Sequence, residues 1–499
     1  MFLGLDLGTS GLKGVVINDE GQVVAQASQA LNVSAPHPTW SEQAPSDWWE
    51  AVGQVCEQLS QRVNLTRIEA LGLSGQMHGA TLLDSQGQVL RPCILWNDGR
   101  SKAQCDEVMQ AHPELLALSG NLAMPGFTLP KVLWLKEHEP DIYQAIDKVL
   151  LPKDYLVYRL TGLFTSDCSD AAGTLWLNPE TRQWDDQLLA MTGLTKANMP
   201  TVYEGQQVIG CLSDEVAKQL GLNTIPVVAG AGDNAAGAVG MGVTEPGQGF
   251  VSLGTSGVYF AVSEAHNAKP ENTVHAFCHA LPNRWHQMGV TLSAANSLAW
   301  FANLVSKLVP DLLEELEHSS ITQTSVVFLP YLNGERTPIN DPLASGQFYG
   351  LVNSTRREEM TLAVLEGIAF SILDCQNALE SAGTVVDELS LIGGGARSEL
   401  WRQIIANVLA KTLTYRDGGE VGPGLGAARL ALIGLKAQQG HEVESLIKAY
   451  CPLPEVIATH TPNHSIQPYY QAKYEIYRQL YQQTKALNAS LDQLRALAQ

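Results

Sequence analysis

No stretch of about 18 apolar residues occurs in this chain, and its start has no basic segment leading into an apolar one, so neither a membrane span nor an export signal is expected. Basic residues are scarce: 31 Lys and Arg stand against 51 Asp and Glu, the formal net charge is −20, and no Lys/Arg-rich run offsets it. Nucleic acid and anionic membranes are disfavoured as partners, and a site for a polyanion must use backbone donors, a few local cations and metal ions. Cysteine pairing signals are missing as well. Cys56, Cys93, Cys105, Cys168, Cys211, Cys278, Cys375 and Cys451 are scattered without CxxC or Cys/His metal spacing, which fits free buried thiols in a reducing cytoplasm. Low-complexity tracts and coiled-coil repeats are absent. What remains, 499 residues that are 45% hydrophobic and 16% charged, reads as a globular enzyme of two or three domains.

One pentapeptide occurs twice, as Leu7-Gly8-Thr9-Ser10-Gly11 and Leu253-Gly254-Thr255-Ser256-Gly257, 246 residues apart. Each copy joins two short apolar runs, Phe2–Leu5 to Leu12–Ile17 and Gly249–Leu253 to Val258–Val262, so a strand, a tight turn and a strand are expected in both places. The plain reading of one such turn is a hairpin. Two of them in matching halves suit a polyphosphate gripped from both sides, because Gly-Thr-Ser-Gly turns offer backbone N–H groups, hydroxyls and no Cβ at the glycines. The copies differ just before the turn, where Asp6 stands in the first and Ser252 in the second.

A third strand is expected at Gly21–Leu31, then a helix capped by Ser46 with Trp49, Val52, Cys56 and Leu59 on its apolar face, then a strand at Ala70–Leu73. Three antiparallel strands followed by helix, strand and helix form the ribonuclease-H-like α/β pattern. Residues 100–220 read as helices and inserted loops over a cleft. Pro226–Ala229 is a buried-type strand running into Gly230-Ala231-Gly232-Asp233-Asn234 and a small-residue helix. Gly242–Gly247 then connects to the second half, giving expected domains 1–243 and 244–499. The second half holds a long helix with a capping box from Thr355 to Glu358, a strand Leu389–Ile392 running into Gly393–Ser398, and a last Gly/Ala-rich helix from Gly422. Gly and Ala let two such helices approach closely, so the helices ending the two halves are expected to pair as a hinge.

Asp233, at a strand end before a helix, is either an N-cap or a general base placed where α/β sheets put their sites. The dinucleotide pattern G-x-G-x-x-A at Gly230, Gly232 and Ala235 is rejected, because Asp233 would face a pyrophosphate and the acid expected some 20 residues later is absent. Asp6 beside the first turn suits Mg²⁺, which takes one or two carboxylates together with phosphate oxygens. Lys13 is a local cation for phosphate or a surface lysine. Ser10-Gly-Leu-Lys13 also matches S-x-x-K, but that motif needs its serine at a helix start. Gln76-Met77-His78-Gly79 after a strand, with Trp40, Trp96, Asn97 and Asp98, offers the mixture of polar and apolar groups that a sugar needs.

Taken together these motifs resemble the FGGY carbohydrate kinases of the hexokinase/actin/Hsp70 superfamily, and within them the bacterial kinases of D-xylulose. The resemblance runs from Gly4–Ser10 through Trp40–Gln43, Gly75–Gly79, Trp96–Arg100, Leu151–Tyr155, Gly232–Asn234 and Gly334–Pro338 to Gly393–Ser398, and weakens beyond residue 450. It implies two ribonuclease-H-like domains around an ATP cleft and transfer of phosphate from ATP to D-xylulose. By the same resemblance Asp233 is the base, and Met77, His78, Asp233 and Asn234 contact the sugar, with Trp96 and Asn97 beside them. Asp6 serves the metal and phosphates, Gly8, Thr9, Ser10 and Lys13 form one phosphate turn, and Gly254 and Thr255 form the other. Gly394, Gly395, Ala396 and Arg397 border the adenosine. The expected ligands are ATP, Mg²⁺ and a small sugar, with no nucleic acid or membrane, and a homodimer is compatible. Met-His-Gly in the sugar loop favours xylulose over glycerol. The alternatives are a kinase of another ketose or polyol such as ribulose, an actin- or Hsp70-like ATPase, and a silent sugar sensor, the last opposed by the presence of both Asp6 and Asp233.

Overall fold

A computed structural model describes residues 1–417 and 422–497. Its first half is built on a seven-stranded sheet. Strands β1 (Phe2–Leu7), β2 (Gly11–Ile17) and β3 (Val23–Ala30) are antiparallel neighbours, helix α1 (Pro45–Ser60) follows, and β4 (Ala70–Gly75) returns parallel to β1. The sheet continues through β5 (Val208–Cys211) and β6 (Pro226–Val228), after which helix α2 (Asp233–Gly240) begins.

The second sheet repeats the plan. Strand β7 (Gln248–Leu253) pairs antiparallel with β8 (Gly257–Ser263), which pairs with β10 (Trp285–Thr291), and β9 (His275–Cys278) forms the edge. After the long helix α3 (Arg357–Ser381), β11 (Glu388–Ile392) lies parallel to β7, followed by helix α4 (Glu399–Leu409) and strands β12 (Leu413–Arg416) and β13 (Val456–His460). The chain therefore makes the two ribonuclease-H-like α/β units that its motifs imply. Their central strands are buried on both faces, which is why they read as continuous apolar runs rather than as alternation.

Two helix starts differ from expectation. Helix α1 begins at Pro45 after Ala44, Ser46 lies in the first turn, and Trp48 rather than Trp49 is fully buried. Proline's fixed φ suits the first helical position, and the expected face holds at Val52, Cys56 and Leu59, all buried. Helix α3 is capped by Arg356, whose N–H donates to Glu359 at 2.9 Å. Thr355 instead accepts from the Val352 N–H in the preceding turn, and Glu358 is not the capping acid. Helix α3 is also long and apolar enough to cross a membrane by length and composition alone. It lies in the core of the second unit.

Helix α5 (Gly422–Gln438) follows the second sheet in the chain but packs on the first, against β1, β4 and α2. Its small residues have a direct steric cause. A Cβ on Gly4 would lie 2.0 Å from the Gly424 carbonyl, and one on Gly426 would lie 1.8 Å from the Ala236 carbonyl. Arg429 then donates to Val239 O at 2.9 Å and Gly240 O at 3.0 Å, closing the C-terminal end of α2. The last helix, α6 (Gln467–Leu497), returns to the second unit, where the Tyr477 hydroxyl accepts from that of Tyr331 at 2.9 Å.

Candidate active site

Asp6 and Asp233 are both carried to the same end of the first sheet. Asp6 sits across β1 from Lys13 on β2 and Ser74 on β4, and Ser74 Oγ donates to it at 2.6 Å. Burial raises its pKa, while the Ser74 bond and the Lys13 charge pull it back. Asp233 arrives by a sharper path. Gly230 takes φ +82°, a conformation that L side chains rarely adopt, and a Cβ there would meet Leu73 O at 2.0 Å. Ala231 and Gly232 then pair with Ser74 and Gly75, and Asp233 is the first residue of α2.

The half-buried Asp233 carboxylate uses one oxygen internally: Oδ1 accepts from the Asn234 N–H at 2.7 Å and from Asn234 Nδ2 at 2.9 Å. Among the described residues Oδ2 has no hydrogen-bond partner. Burial first and the Asp6 charge second push the pKa of Asp233 up to about 7, against the two Asn234 bonds. This is the range in which a carboxylate works as a base near neutral pH.

A buried ionic cluster fixes the loop that carries Asp233. Lys153 Nζ is completely enclosed and donates to Asp154 at 2.6 Å and to Ala229 O at 3.1 Å, with Asp167 at 3.0 Å. Ser169 Oγ accepts from the Gly232 N–H at 3.1 Å, one residue before Asp233. Leu151–Tyr155 stands out in the sequence only as a shared motif, and neither spacing nor composition foretells that its lysine braces a loop near residue 230. Met77 packs against the same loop, since a Cβ on Gly232 would lie 3.0 Å from its sulfur.

The two Gly-Thr-Ser-Gly turns have different surroundings. In the first, Thr9 Oγ1 donates to Gln76 Oε1 at 3.0 Å and accepts from Trp96 Nε1 at 2.9 Å, while Gln43 holds the Thr9 carbonyl at 2.8 Å. In the second, Gly254 O and Thr255 O each accept at 2.9 Å, from Ala295 N and Ala294 N. The exposed Thr255 hydroxyl has no partner among the described residues. Ser10 is exposed, and Lys13 is half-buried opposite Asp6.

His78 adopts φ +69°, and its Nδ1 lies 2.7 Å from Gly173 O. A carbonyl only accepts, so Nδ1 carries the proton and Nε2 is left as an acceptor. Burial drives the His78 pKa down to about 3, which keeps the ring neutral. A cavity of about 600 Å³ opens here, with walls from both halves that include His78, Trp96, Asn97, Phe127, His275 and Arg336. Its wall stops short of Asp233. Asp98 also borders it, but the Asp98 carboxylate is taken by Ser41 N at 2.6 Å and by Arg100, so it is architectural.

At the proposed adenosine end, Gly393 turns at φ +88° after β11, and Gly394 is exposed with open space where a side chain would be. Gly395 lies against Trp401 and Leu253, Ala396 is buried, and Arg397 is exposed. Gly394 thus leaves open space at this rim, while Gly395 is small so that Trp401 and Leu253 can pack against it. No cluster of three or more His, Cys, Asp or Glu occurs among the described residues. Asp6 nonetheless fits Mg²⁺, which needs few protein oxygens when phosphates supply the rest, and a cation there would offset its raised pKa.

Residues 1–240 match the model of the N-terminal domain of the FGGY family of carbohydrate kinases, and residues 249–435 match that of the C-terminal domain. The chain is 50% identical to "Xylulose kinase" of Escherichia coli (strain K12), over 98% of this chain and all of that protein. Among solved structures, one described as a "xyloylose kinase" from Brucella ovis superposes with a TM-score of 0.93 at 47% identity, covering 97% of this chain and 99% of that one. A ligand-bound xylulose kinase from Lactobacillus acidophilus gives 0.91 at 25% identity, covering 98% and 99%.

Proposed function

The chain belongs to the FGGY family of carbohydrate kinases, and from that premise we propose that it transfers the γ-phosphoryl group of ATP to D-xylulose, giving D-xylulose 5-phosphate and ADP. The observation that carries the chemistry is the Asp233 carboxylate, half-buried at a strand end, with one oxygen held by Asn234 and the other open.

Asp233 Oδ2 accepts the proton of the sugar's terminal hydroxyl as that oxygen attacks the γ-phosphorus. The new O–P bond forms while the bond from phosphorus to the β,γ-bridging oxygen breaks, and ADP leaves with the electron pair. Such transfer depends mainly on positioning and on stabilising charge. Asp6 would hold Mg²⁺, which when bound neutralises phosphate charge. Gly8–Gly11 and Gly254–Gly257 cradle the phosphates from opposite units, and Gly394 leaves open space at the rim for the adenosine. Met77 and His78 face the sugar with Trp96 and Asn97. Lys153 and Ser169 hold the base by the backbone on its N-terminal side. A cytoplasmic setting fits all eight cysteines being free thiols, seven of them buried.

ADP release measured across D-xylulose, D-ribulose, glycerol, xylitol and D-xylonate tests the assignment. D-Xylulose should give the highest kcat/KM. A higher value for any other acceptor would reassign the substrate, and ADP release indifferent to every sugar would remove the kinase reading.

A further inference from the structure

The segment Gly334–Pro338 stands out in the sequence but has no part in the steps above. In the structure its arginine is held by the backbone alone. Arg336 O accepts from Asn340 N at 2.6 Å and Thr273 Oγ1 at 2.9 Å, and its N–H donates to Glu335 at 2.7 Å. Its guanidinium has no hydrogen bond, ion pair or ring contact among the described residues, although it is largely enclosed and lines the cavity that also exposes His78. The adjacent acid supports its charge but forms no ion pair with it among the described residues. The Glu335 carboxylate accepts instead from Thr291 Oγ1 at 2.6 Å, Leu292 N at 2.9 Å and the Arg336 N–H.

An unpaired, sheltered guanidinium is costly unless a ligand completes it. Two imidazoles share its cavity wall, and the Arg336 charge disfavours protonation of both His78 and His275, with burial the largest cause in each. In His78, Nδ1 donates to Gly173 O. In His275, Nδ1 lies 3.3 Å from Asn121 Oδ1, an oxygen that only accepts. Both imidazoles therefore carry their proton on the engaged nitrogen and keep Nε2 as an acceptor. Beside Asn97, Lys102, Asp106 and Asn340, these three side chains give the wall one donor-only group and two acceptor-only nitrogens. That set is complementary to a carbonyl oxygen flanked by two hydroxyls, which is the HO–C–C(=O)–C–OH end of a ketose. Reduction of the carbonyl puts a hydroxyl proton opposite a guanidinium that has no acceptor for it.

We propose that Arg336, contributed by the second half of the chain, is a specificity-determining residue that holds the C2 carbonyl oxygen of the ketose, while His78 and His275 take the hydroxyl protons at C1 and C3. The assignment rests on the sugar-kinase reading and adds to it how a ketose is told from its polyol. It also makes the sugar site complete only when both halves contribute.

The test uses the full chain with ATP and compares D-xylulose with xylitol and D-arabinitol, the two products of reducing its carbonyl. Arg336→Met should lower kcat/KM for D-xylulose roughly 10- to 100-fold and for the polyols less than about threefold, because a hydrogen bond from a charged donor is lost only with the carbonyl. The KM for ATP should stay within about twofold, and Arg336→Lys should restore part of the ketose activity. Where a polyol is not turned over, its inhibition constant against D-xylulose is read instead. An equal loss for ketose and polyols, or a rise confined to the KM for ATP, would overturn the proposal. So would D-xylonate binding more tightly than D-xylulose and losing its affinity in Arg336→Met, which would mark an anion site. Absence of D-xylulose turnover in the parent would remove the substrate assignment, and the ketose-to-polyol ratio for whichever ketose releases ADP would still decide the role of Arg336.

Discussion

The indole N–H of Trp96 donates to Thr9 Oγ1 at 2.9 Å, so the loop beside the sugar cavity and the first Gly-Thr-Ser-Gly turn share one hydrogen bond. Thr9 Oγ1 in turn donates to Gln76 Oε1, on the residue before Met77 and His78. A sugar that orders Trp96 therefore orders the phosphate turn. Trp96→Phe keeps the ring and removes the donor. It should reduce the factor by which sugar tightens ATP binding by about 3- to 10-fold, the worth of one neutral hydrogen bond. Calorimetric titration of a non-hydrolysable ATP analogue with and without D-xylulose measures that factor, and an unchanged factor would leave the bond as architecture only.

Asp233→Ala should lower turnover by about 10²–10⁴-fold while ATP still binds, because the proton acceptor is gone. Turnover within tenfold of the parent would remove Asp233 as the base.

The raised pKa of Asp233 has a definite sign in both activity and stability. Its base form is needed, so kcat/KM of the free enzyme should climb as pH rises through about 7. Ionising this group costs more in the folded than in the unfolded chain. The parent therefore loses stability relative to Asp233→Asn as pH rises from the ordinary carboxylate value to about 7. Thermal melts at pH 4 and pH 8 should show the Asp233→Asn variant gaining on the parent only at the higher pH. Asp6→Asn should shift the Asp233 titration downward, since the Asp6 charge is the second cause of its elevation.

Thr255→Val should weaken ATP binding by roughly 1.5–3 kcal/mol if its unpartnered hydroxyl meets a charged phosphate oxygen. Thr9→Val removes a group already bonded twice inside the protein, so it should lower the melting temperature as well. Two similar nucleotide affinities with two similar melting temperatures would contradict the difference between the turns.

Much of this is legible in the sequence because the strands β1 and β7 are largely apolar and run into turns of the same five residues, which announces a duplicated unit before any contact is known. The position of Asp233 is legible for a related reason, as a charge at the end of a small-residued strand. Lys153, Ser169 and Arg336 carry no such signal. The first two act through contacts with residues 76 and 63 positions away, the third through a guanidinium with no hydrogen bond or ion pair among the described residues, and local spacing records neither. The cap of α1 is misread from sequence because Pro45 competes with Ser46 for the helix start, and fixed φ outweighs a side-chain hydrogen bond.

The packing of α5 on α2 leads to the last prediction. The two helices meet backbone to backbone: a Cβ on Gly426 would reach Ala236 O at 1.8 Å, and one on Gly240 would reach Gly422 O at 2.7 Å. Neither neighbour is a flexible side chain, so the helices must separate to admit a methyl group. Overpacking of this kind costs about 1–3 kcal/mol, and Gly426→Ala, with the nearer contact, should lose more stability than Gly240→Ala. Helix α5 comes from the second half of the chain but lies on the first sheet, so the cleft is expected to close about this pair. Small-angle scattering of the parent should show a smaller radius of gyration with D-xylulose and a non-hydrolysable ATP analogue than without ligands. Gly240→Ala, if it folds, should contract less under the same ligands. Full contraction in that variant would mean that the cleft closes about some other pivot and that the glycines serve packing alone.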